Sequence, residues 1–352
     1  MGRKTQYQRI TSPEKLAAVN PKNMALKKDF LSYLKSIQRS DGTIKGYSND
    51  LDIVLVFILE RCDNKDFVSV KKREWIALQS WLIDEHGNSP ARVRRIKAVI
   101  SSLSNYITDV LQEDDEPGFE NFKPSIRGVE NPVNTPVREK TILTDEDCQY
   151  VLSRLVEMKK YEQACYFALA IYSGRRKNEL FRFKVEYFQD DHLICDGALY
   201  STIELVKTKG RGVKGKEIPC YTLAKPFKPY FDLWMEERGR LGIESIWLFP
   251  KRDDMTDHRT GGSADAWASL YSELLSEHTG KASVFYTHSA RHFAVSHMSQ
   301  AGVPHSVIKE FMHWDSLEMV AIYDDTDIAE SFGDYFTVDG IKGADRKSLT
   351  DL

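Results

Sequence analysis

Three separated stretches of this chain gather side chains suited to gripping and attacking a phosphate. The first is Ser173-Gly174-Arg175-Arg176-Lys177-Asn178-Glu179-Leu180, where the glycine marks a helix end and a new helix starts beside Arg176. The second, LVKTKGRGVKGKEIP, is a Gly-rich turn studded with Lys207, Lys209, Arg211, Lys214 and Lys216. The third runs Thr287-His288-Ser289-Ala290-Arg291-His292, then Ala301-Gly302-Val303, Met312-His313-Trp314 and Ile322-Tyr323. The following FAVSHMSQAG reads as helix, so His288 and Arg291, at i and i+3, share a face. A guanidinium forks onto two non-bridging phosphate oxygens, and an imidazole donates a hydrogen bond or moves a proton. A phenol of pKa about 10 becomes a useful nucleophile only when its proton is taken and the developing charge is held. Each feature also has an ordinary explanation. A tyrosine at the end of an amphipathic helix is usually half-buried packing, and His86, His192, His258, His278, His297 and His305 read as ordinary surface or core residues.

The elements that must position these groups follow from periodicity. Residues 1–23 are polar and basic, with Pro13 and Pro21, and read as a flexible arm. Helical spacing then begins: Phe30, Leu31, Leu34 and Ile37 form one stripe, and Tyr47, Leu51, Val54, Leu55 and Ile58 a second beyond the Ser40-Asp41-Gly42 turn. A third helix is expected over Lys72–Glu85 and a fourth from Pro90, after Ser89, to Leu111. Residues 24–112 thus form a small all-α domain. Residues 113–140, with acidic residues followed by Pro117, Pro124, Pro132 and Pro136, read as a linker. A second domain, 141–336, opens at a capping-box-like Thr144 and Asp147, contains a buried helix over Ala164–Tyr172, and has short β-type runs HLIC, STIELVK and EIPCYT. Helices resume from Lys225, and 337–352 is a C-terminal tail. The fold class is therefore mainly α with a small β-sheet: an all-α helical bundle followed by a mixed α+β domain.

Bulk properties set limits. With 352 residues there is enough chain for two cores. No run of about 18 apolar residues and no signal-peptide pattern occurs, so no membrane partner is expected and the expected location is the cytosol. Cys62, Cys148, Cys165, Cys195 and Cys220 are scattered and read as packing residues rather than disulfides or zinc ligands. The net charge is −3, but residues 1–112 hold 19 Lys and Arg against 12 Asp and Glu, leaving +7 there and −10 over the rest. A basic first domain suits a polyanion partner, although such charge is often only a solvated surface.

The boxes resemble those of the tyrosine recombinase, or phage integrase, family. SGRRKNEL resembles the first-arginine box, THSARHFAVSHMSQAGV the His-x-x-Arg box with its trailing Ala-Gly, and MHW with IY ten residues on resembles the second-histidine and nucleophile box. SDGTIKGYSNDLDIVLVFI and SPARVRRIKAVISSLSNYI resemble two helices of the core-binding (SAM-like) domain, so the likeness spans 24–336. It implies a core-binding domain and a catalytic domain closing around duplex DNA. It further implies cleavage and rejoining of DNA strands through a 3′-phosphotyrosyl bond to Tyr323, as in integration or movement of a mobile element. Arg176 and Arg291 would clamp the phosphate, Glu179 orient Arg176 or a histidine, His288 bind the phosphate or accept the tyrosine proton, and His313 hold a non-bridging oxygen. His292 would support the site. Lys209 would protonate the leaving 5′-hydroxyl, with Lys207 the alternative, while Lys216, like Lys214, would touch the DNA backbone or simply be solvated. DNA contacts are expected from Thr43, Lys45, Arg92, Arg94, Arg95, Lys97, Arg211 and Lys214; Arg92, Arg95 and Lys97 cannot all share one helical face. The resemblance implies a homotetramer on DNA, accessory DNA-bending or directionality proteins, nucleoid association in a prokaryotic host, a tail exchanged between protomers, and neither metal nor other cofactor.

The chain departs from the family pattern in three places. Arg175 stands where an apolar residue is usual and reads as a surface side chain; Ala290 replaces Leu; and Tyr323 comes one residue late, which places an extra loop residue in WDSLEMVAI. Tyr335 is the other tyrosine nearby, without a matching box. A type IB topoisomerase-like enzyme, a silent DNA-binding regulator on the same scaffold and a metal-dependent nuclease are the competing functions.

Overall fold

A computed structural model of the protein describes residues 5–133, 141–208 and 216–325, together with strand residues 336–337 and 340–341. They fall into two compact units that part between residues 133 and 141, each with its own apolar cluster.

All the regular secondary structure among the described residues of the first unit is helical. Helices α1 (Gln6–Ile10) and α2 (Pro13–Ala18) precede α3 (Pro21–Ser36), α4 (Asp41–Arg61), α5 (Lys72–Ser80) and α6 (Pro90–Tyr106). α5 and α6 each run on into a wider turn, Trp81–Glu85 and Ile107–Leu111. Ser40 and Ser89 cap α4 and α6 by accepting from the N–H groups of Thr43 and Arg92, both at 3.3 Å.

Residues 5–23 do not form the expected flexible arm. Thr5 and Gln8 make a capping box for α1, Ser12 caps α2, and Asn20 caps α3. Pro13 and Pro21 each sit at the start of a helix, where the missing N–H has no intrahelical partner to lose, so they are start signals rather than breakers. Ile10 and Val19 are buried in the core, and the Tyr7 hydroxyl donates to Asp52 at 3.1 Å, beside a buried Lys27–Asp52 ion pair at 2.5 Å.

The expected linker also packs on this unit as far as residue 133, because Phe122, Ile126 and Val129 recur at helix-like steps between the prolines and are buried with the core. Two residues taken as DNA contacts hold this segment. Lys97 is only 6% exposed and its Nζ donates to the carbonyls of Val129 at 2.6 Å and Glu130 at 2.8 Å, so burial corrects its assignment to a structural clasp. Arg94 donates to Pro132 O through Nε at 3.1 Å and Nη2 at 2.9 Å.

The second unit begins with α7 (Asp145–Glu157), whose N-terminus is the Thr144–Asp147 capping box. α8 (Tyr161–Ser173) is its central helix, buried along almost its whole length; even Glu162 is buried, held by Arg252 at 3.0 Å and Arg259 at 2.8 Å. After the single-turn α9 (Lys177–Leu180) come β1 (Leu193–Ile194), β2 (Leu199–Ser201), β3 (Val206–Lys207), β4 (Glu217–Ile218) and β5 (Tyr221–Leu223). They form an antiparallel three-stranded sheet ordered β1-β2-β5 and a separate β3-β4 pair. STIELVK is therefore not one strand: Ile203 takes φ 56°, which breaks the run between Ser201, paired with Tyr221, and Val206, paired with Ile218. Cys195, at the β1–β2 turn, is exposed, unlike the other four cysteines.

Helices α10 (Ala224–Arg240), α11 (Gly261–Thr279), α12 (Thr287–Gln300), α13 (His305–Met312) and α14 (Glu318–Tyr323) complete the unit. α12 packs against α8 on one side and against α13 and α14 on the other. Beyond them, β6 (Phe336–Thr337) and β7 (Gly340–Ile341) pair antiparallel. Tyr335, and the 337–352 tail apart from these strand residues, lie outside the described residues. No described helix is long and apolar enough to cross a membrane.

Replacing Lys97 by Met keeps the alkyl volume but removes both carbonyl contacts, each worth about 1.5–3 kcal/mol when the donor is charged. The thermal midpoint of Lys97→Met is expected to fall by about 5 °C or more. The slope of DNA affinity against salt should stay unchanged, because the ammonium touches protein rather than phosphate.

Candidate active site

The site grows from the end of α8. Gly174 closes that helix in the left-handed conformation, φ 63°, and an added Cβ would stand 3.0 Å from Met312 Cε and 3.1 Å from Ala294 Cβ. Only glycine meets both demands without strain, and the turn it makes sends two consecutive arginines in different directions. Arg176 becomes the N-cap of α9, and the buried Glu179 holds it at both ends, accepting from the backbone N–H at 3.0 Å and from Nη1 at 3.1 Å. Its guanidinium remains about one-third exposed.

Arg175 is not a surface residue. It is 1% exposed, and its guanidinium donates to the carbonyls of Phe311 and Met312 at the C-terminal end of α13. The last carbonyls of a helix carry partial negative charge and lack intrahelical donors, so a cation there is well placed. The chain then turns through His313 in the left-handed conformation, φ 52°, ψ 48°. The His313 imidazole stacks on Tyr221, ring centroids 5.5 Å apart at 22°. Burial, followed by the Arg175 and Lys216 charges, lowers its pKa, with Glu310 opposing. Lys216 lies near the same turn, its Nζ 2.8 Å from Asp315 and 3.4 Å from His313 O.

α12 brings the remaining groups together. Arg291 is 1% exposed, donates through Nη1 to Gly174 O at 2.9 Å, and has its guanidinium carbon 4.9 Å from the Trp314 ring and 5.1 Å from the Tyr323 ring. Those two rings stack on each other, 5.2 Å apart at 18°. Burial and the neighbouring Arg176 push the Arg291 pKa down to about 10, with Tyr323 opposing, so the group stays charged at neutral pH. The His288 ring is 6.0 Å from that of Tyr323. Its pKa is lowered by desolvation, then by Arg291 and Arg176, so it is neutral at pH 7 and able to accept a proton. His292 lies behind the tyrosine, with ring centroids 4.7 Å apart.

Arg176, Glu179, His288, Arg291, His292 and Tyr323 are thus brought to one place, with His313 entering beside Trp314. Lys207 is exposed on β3, its carbonyl accepting from Arg182. Lys209, Arg211 and Lys214 lie outside the described residues. Arg291 Nε, Ser289 Oγ, His313 Nε2 and Trp314 Nε1 are buried polar atoms without a hydrogen-bond partner among the described residues. Buried donors in this condition suit an anion. Among the described residues no group of three His, Cys, Asp or Glu is arranged to hold a metal. Sequence reasoning quoted Trp314 within the second-histidine box but gave it no role.

The chain belongs to the phage integrase family of tyrosine-type site-specific recombinases, whose family model matches residues 142–330. It is 29% identical over 246 residues to the SPbeta prophage-derived recombinase-like protein YomM of Bacillus subtilis (strain 168), covering 68% of this chain and 69% of that protein. It is 22% identical over 303 residues to a tyrosine recombinase of Pseudothermotoga lettingae, covering 84% and 91%. The fold is shared with the XerH recombinase in its post-cleavage complex with difH (TM-score 0.58, 16% identity, 89% of this chain and 97% of that one). It is shared equally with a lambda integrase(75-356) dimer on a COC' core site (TM-score 0.59, 12% identity, 86% and 95%).

Arg175→Ala leaves two buried carbonyls without their donor, at about 1–3 kcal/mol each. Its thermal midpoint should fall by roughly 5–10 °C. In a histidine NMR titration of the free protein, His288 should titrate below the ordinary value of about 6.5. Its midpoint should move upward in Arg176→Gln. Because the folded pKa is depressed, the associated stability is fully present above pH 6.5 and is lost as pH falls through the folded value.

Proposed function

We propose that this recombinase breaks and rejoins double-stranded DNA with Tyr323 as nucleophile. The tyrosine oxygen attacks the scissile phosphorus, its proton passes to His288, and the bond to the 5′-oxygen breaks, leaving a 3′-phosphotyrosyl link. The leaving oxygen takes its proton from a lysine, either Lys209, which follows β3 in sequence, or Lys207 at the end of β3. The reverse attack by a 5′-hydroxyl rejoins the strand, so the energy of the phosphodiester is conserved and neither nucleotide nor metal is consumed. Arg176 and Arg291 hold the non-bridging oxygens, and His313 donates to one of them. The observation that carries this reading is the placement of Tyr323 against Arg291 and His288, beside buried donors that have no hydrogen-bond partner among the described residues.

In the first unit, proposed as the core-binding domain, Thr43, Lys45, Arg92 and Arg95 are the proposed phosphate contacts. Lys45 is exposed, and Arg92 and Arg95 both pair with Asp50. The second unit is proposed as the catalytic domain. A tetramer on DNA, exchange of the C-terminal tail between protomers, nucleoid association in a prokaryotic host and assistance from DNA-bending or directionality proteins complete the proposal.

The test begins with DNA from the protein's own genomic neighbourhood, sequencing fragments that become covalently bound. A nicked duplex carrying the recovered site should then trap a protein–DNA adduct that Tyr323→Phe abolishes and a chelator leaves untouched. Arg291→Ala should slow adduct formation by about 10²–10³. An adduct that survives Tyr323→Phe would refute the assignment of the nucleophile.

A further inference from the structure

The two residues after Tyr323 are both acidic, and both are tied back to α12. Asp325 donates its N–H to Ser296 Oγ at 2.8 Å, and its carboxylate lies 3.2 Å from His292 Nδ1. The same Nδ1 is 3.2 Å from the carbonyl of Tyr323, which also accepts from Ser296 Oγ at 3.4 Å. One turn along, Asp324 accepts from Ser299 Oγ at 2.6 Å and lies 3.3 Å from His305 Nε2. His305, which reads from sequence as an ordinary histidine, opens α13. His292, Ser296 and Ser299 follow one another at four- and three-residue steps, so they form a single stripe on α12. Arg291, on the same helix, meets the Tyr323 ring from another direction.

The chemistry of these contacts is directional. Both oxygens near His292 Nδ1 can only accept, so that nitrogen carries the proton: it is hydrogen-bonded to the Tyr323 carbonyl, and the Asp325 carboxylate stands beside it at ion-pair distance. A carboxylate beside the imidazole fixes this tautomer and the ring's orientation, and the ring in turn faces the tyrosine at 4.7 Å. A six-residue helix such as α14 has little stability of its own. Its last residue is therefore placed by what grips the backbone just beyond it.

We infer that Asp324 and Asp325 are positioning residues that latch the end of α14 onto α12 and so hold the Tyr323 ring against Arg291 and Trp314. This rests on Tyr323 being the nucleophile, but it has a readout that needs no DNA. In the free protein, nuclear Overhauser contacts between the Tyr323 and Trp314 rings should be present. They should be lost in the double variant Asp324→Ala/Asp325→Ala while the thermal midpoint stays close to that of the parent. On the nicked duplex at saturating protein, Asp325→Ala should form adduct about tenfold more slowly with affinity changed less than about twofold. Asp325→Asn, which keeps an acceptor for His292, should recover part of that rate. Persistence of the ring contacts in the double variant overturns the latch. So does an adduct rate that is unaltered, or that falls only in step with affinity and thermal midpoint. Failure of the parent protein to form any adduct strikes the proposed function instead, and the ring contacts still decide on the latch.

Discussion

A buried cation without a carboxylate is the constraint on which the second unit turns. Arg291 is almost fully removed from solvent, and among the described residues it makes no ion pair; it has the carbonyl of Gly174 and the faces of two aromatic rings. Burying an uncompensated charge is costly, and a second guanidinium nearby adds to the cost. Both effects lower its pKa. Such an arrangement is tolerable because the rest of the core over-determines it, and on the proposed reading the scissile phosphate, arriving between Arg176 and Arg291, relieves the repulsion. Burial first, and then the same two guanidiniums, lower the pKa of His288 and so favour its neutral form.

α12 links this constraint to the tyrosine. Its first turns carry His288, Arg291 and His292, and its later turns carry the serines that meet the chain after Tyr323. A helix that bears both the Arg291 charge and the seat of Tyr323 fixes their separation within one element. Arg175 does the corresponding work for His313, fixing the last carbonyls of α13 and so the point at which the chain turns.

Much of this was legible in the sequence. The fold class and helices α3 to α8 followed from apolar periodicity and capping residues, and the boxes from their resemblance to the family's motifs. All but one of the misreadings share a cause: the partner that decides the residue's place lies elsewhere in the chain. Pro13 and Pro21 were read as part of a flexible arm because their position relative to a helix start is visible only once that helix is known. Residues 113–133 were taken as a linker because scattered aromatics have no evident partner until a core is present to receive them. Lys97 and Arg175 were taken as exposed because a charged residue is buried only when distant carbonyls accept from it, and those carbonyls come from residues 32–33 and 136–137 positions away. The strand STIELVK failed for a local reason, the left-handed backbone at Ile203, which a β-branched residue does not advertise.

Asp50 in the first unit is 1% exposed and sits beneath Arg92 and Arg95, and an added Cβ on Gly46 would stand 2.6 Å from Arg95 Nη2. On the proposed reading, these arginines greet a DNA backbone already half-neutralised by their own chain. Counter-ion release from random sequence is then smaller than the count of basic residues implies. The protein would linger less on the wrong stretch of a genome and leave its search time to the sites where the second unit also finds a fit.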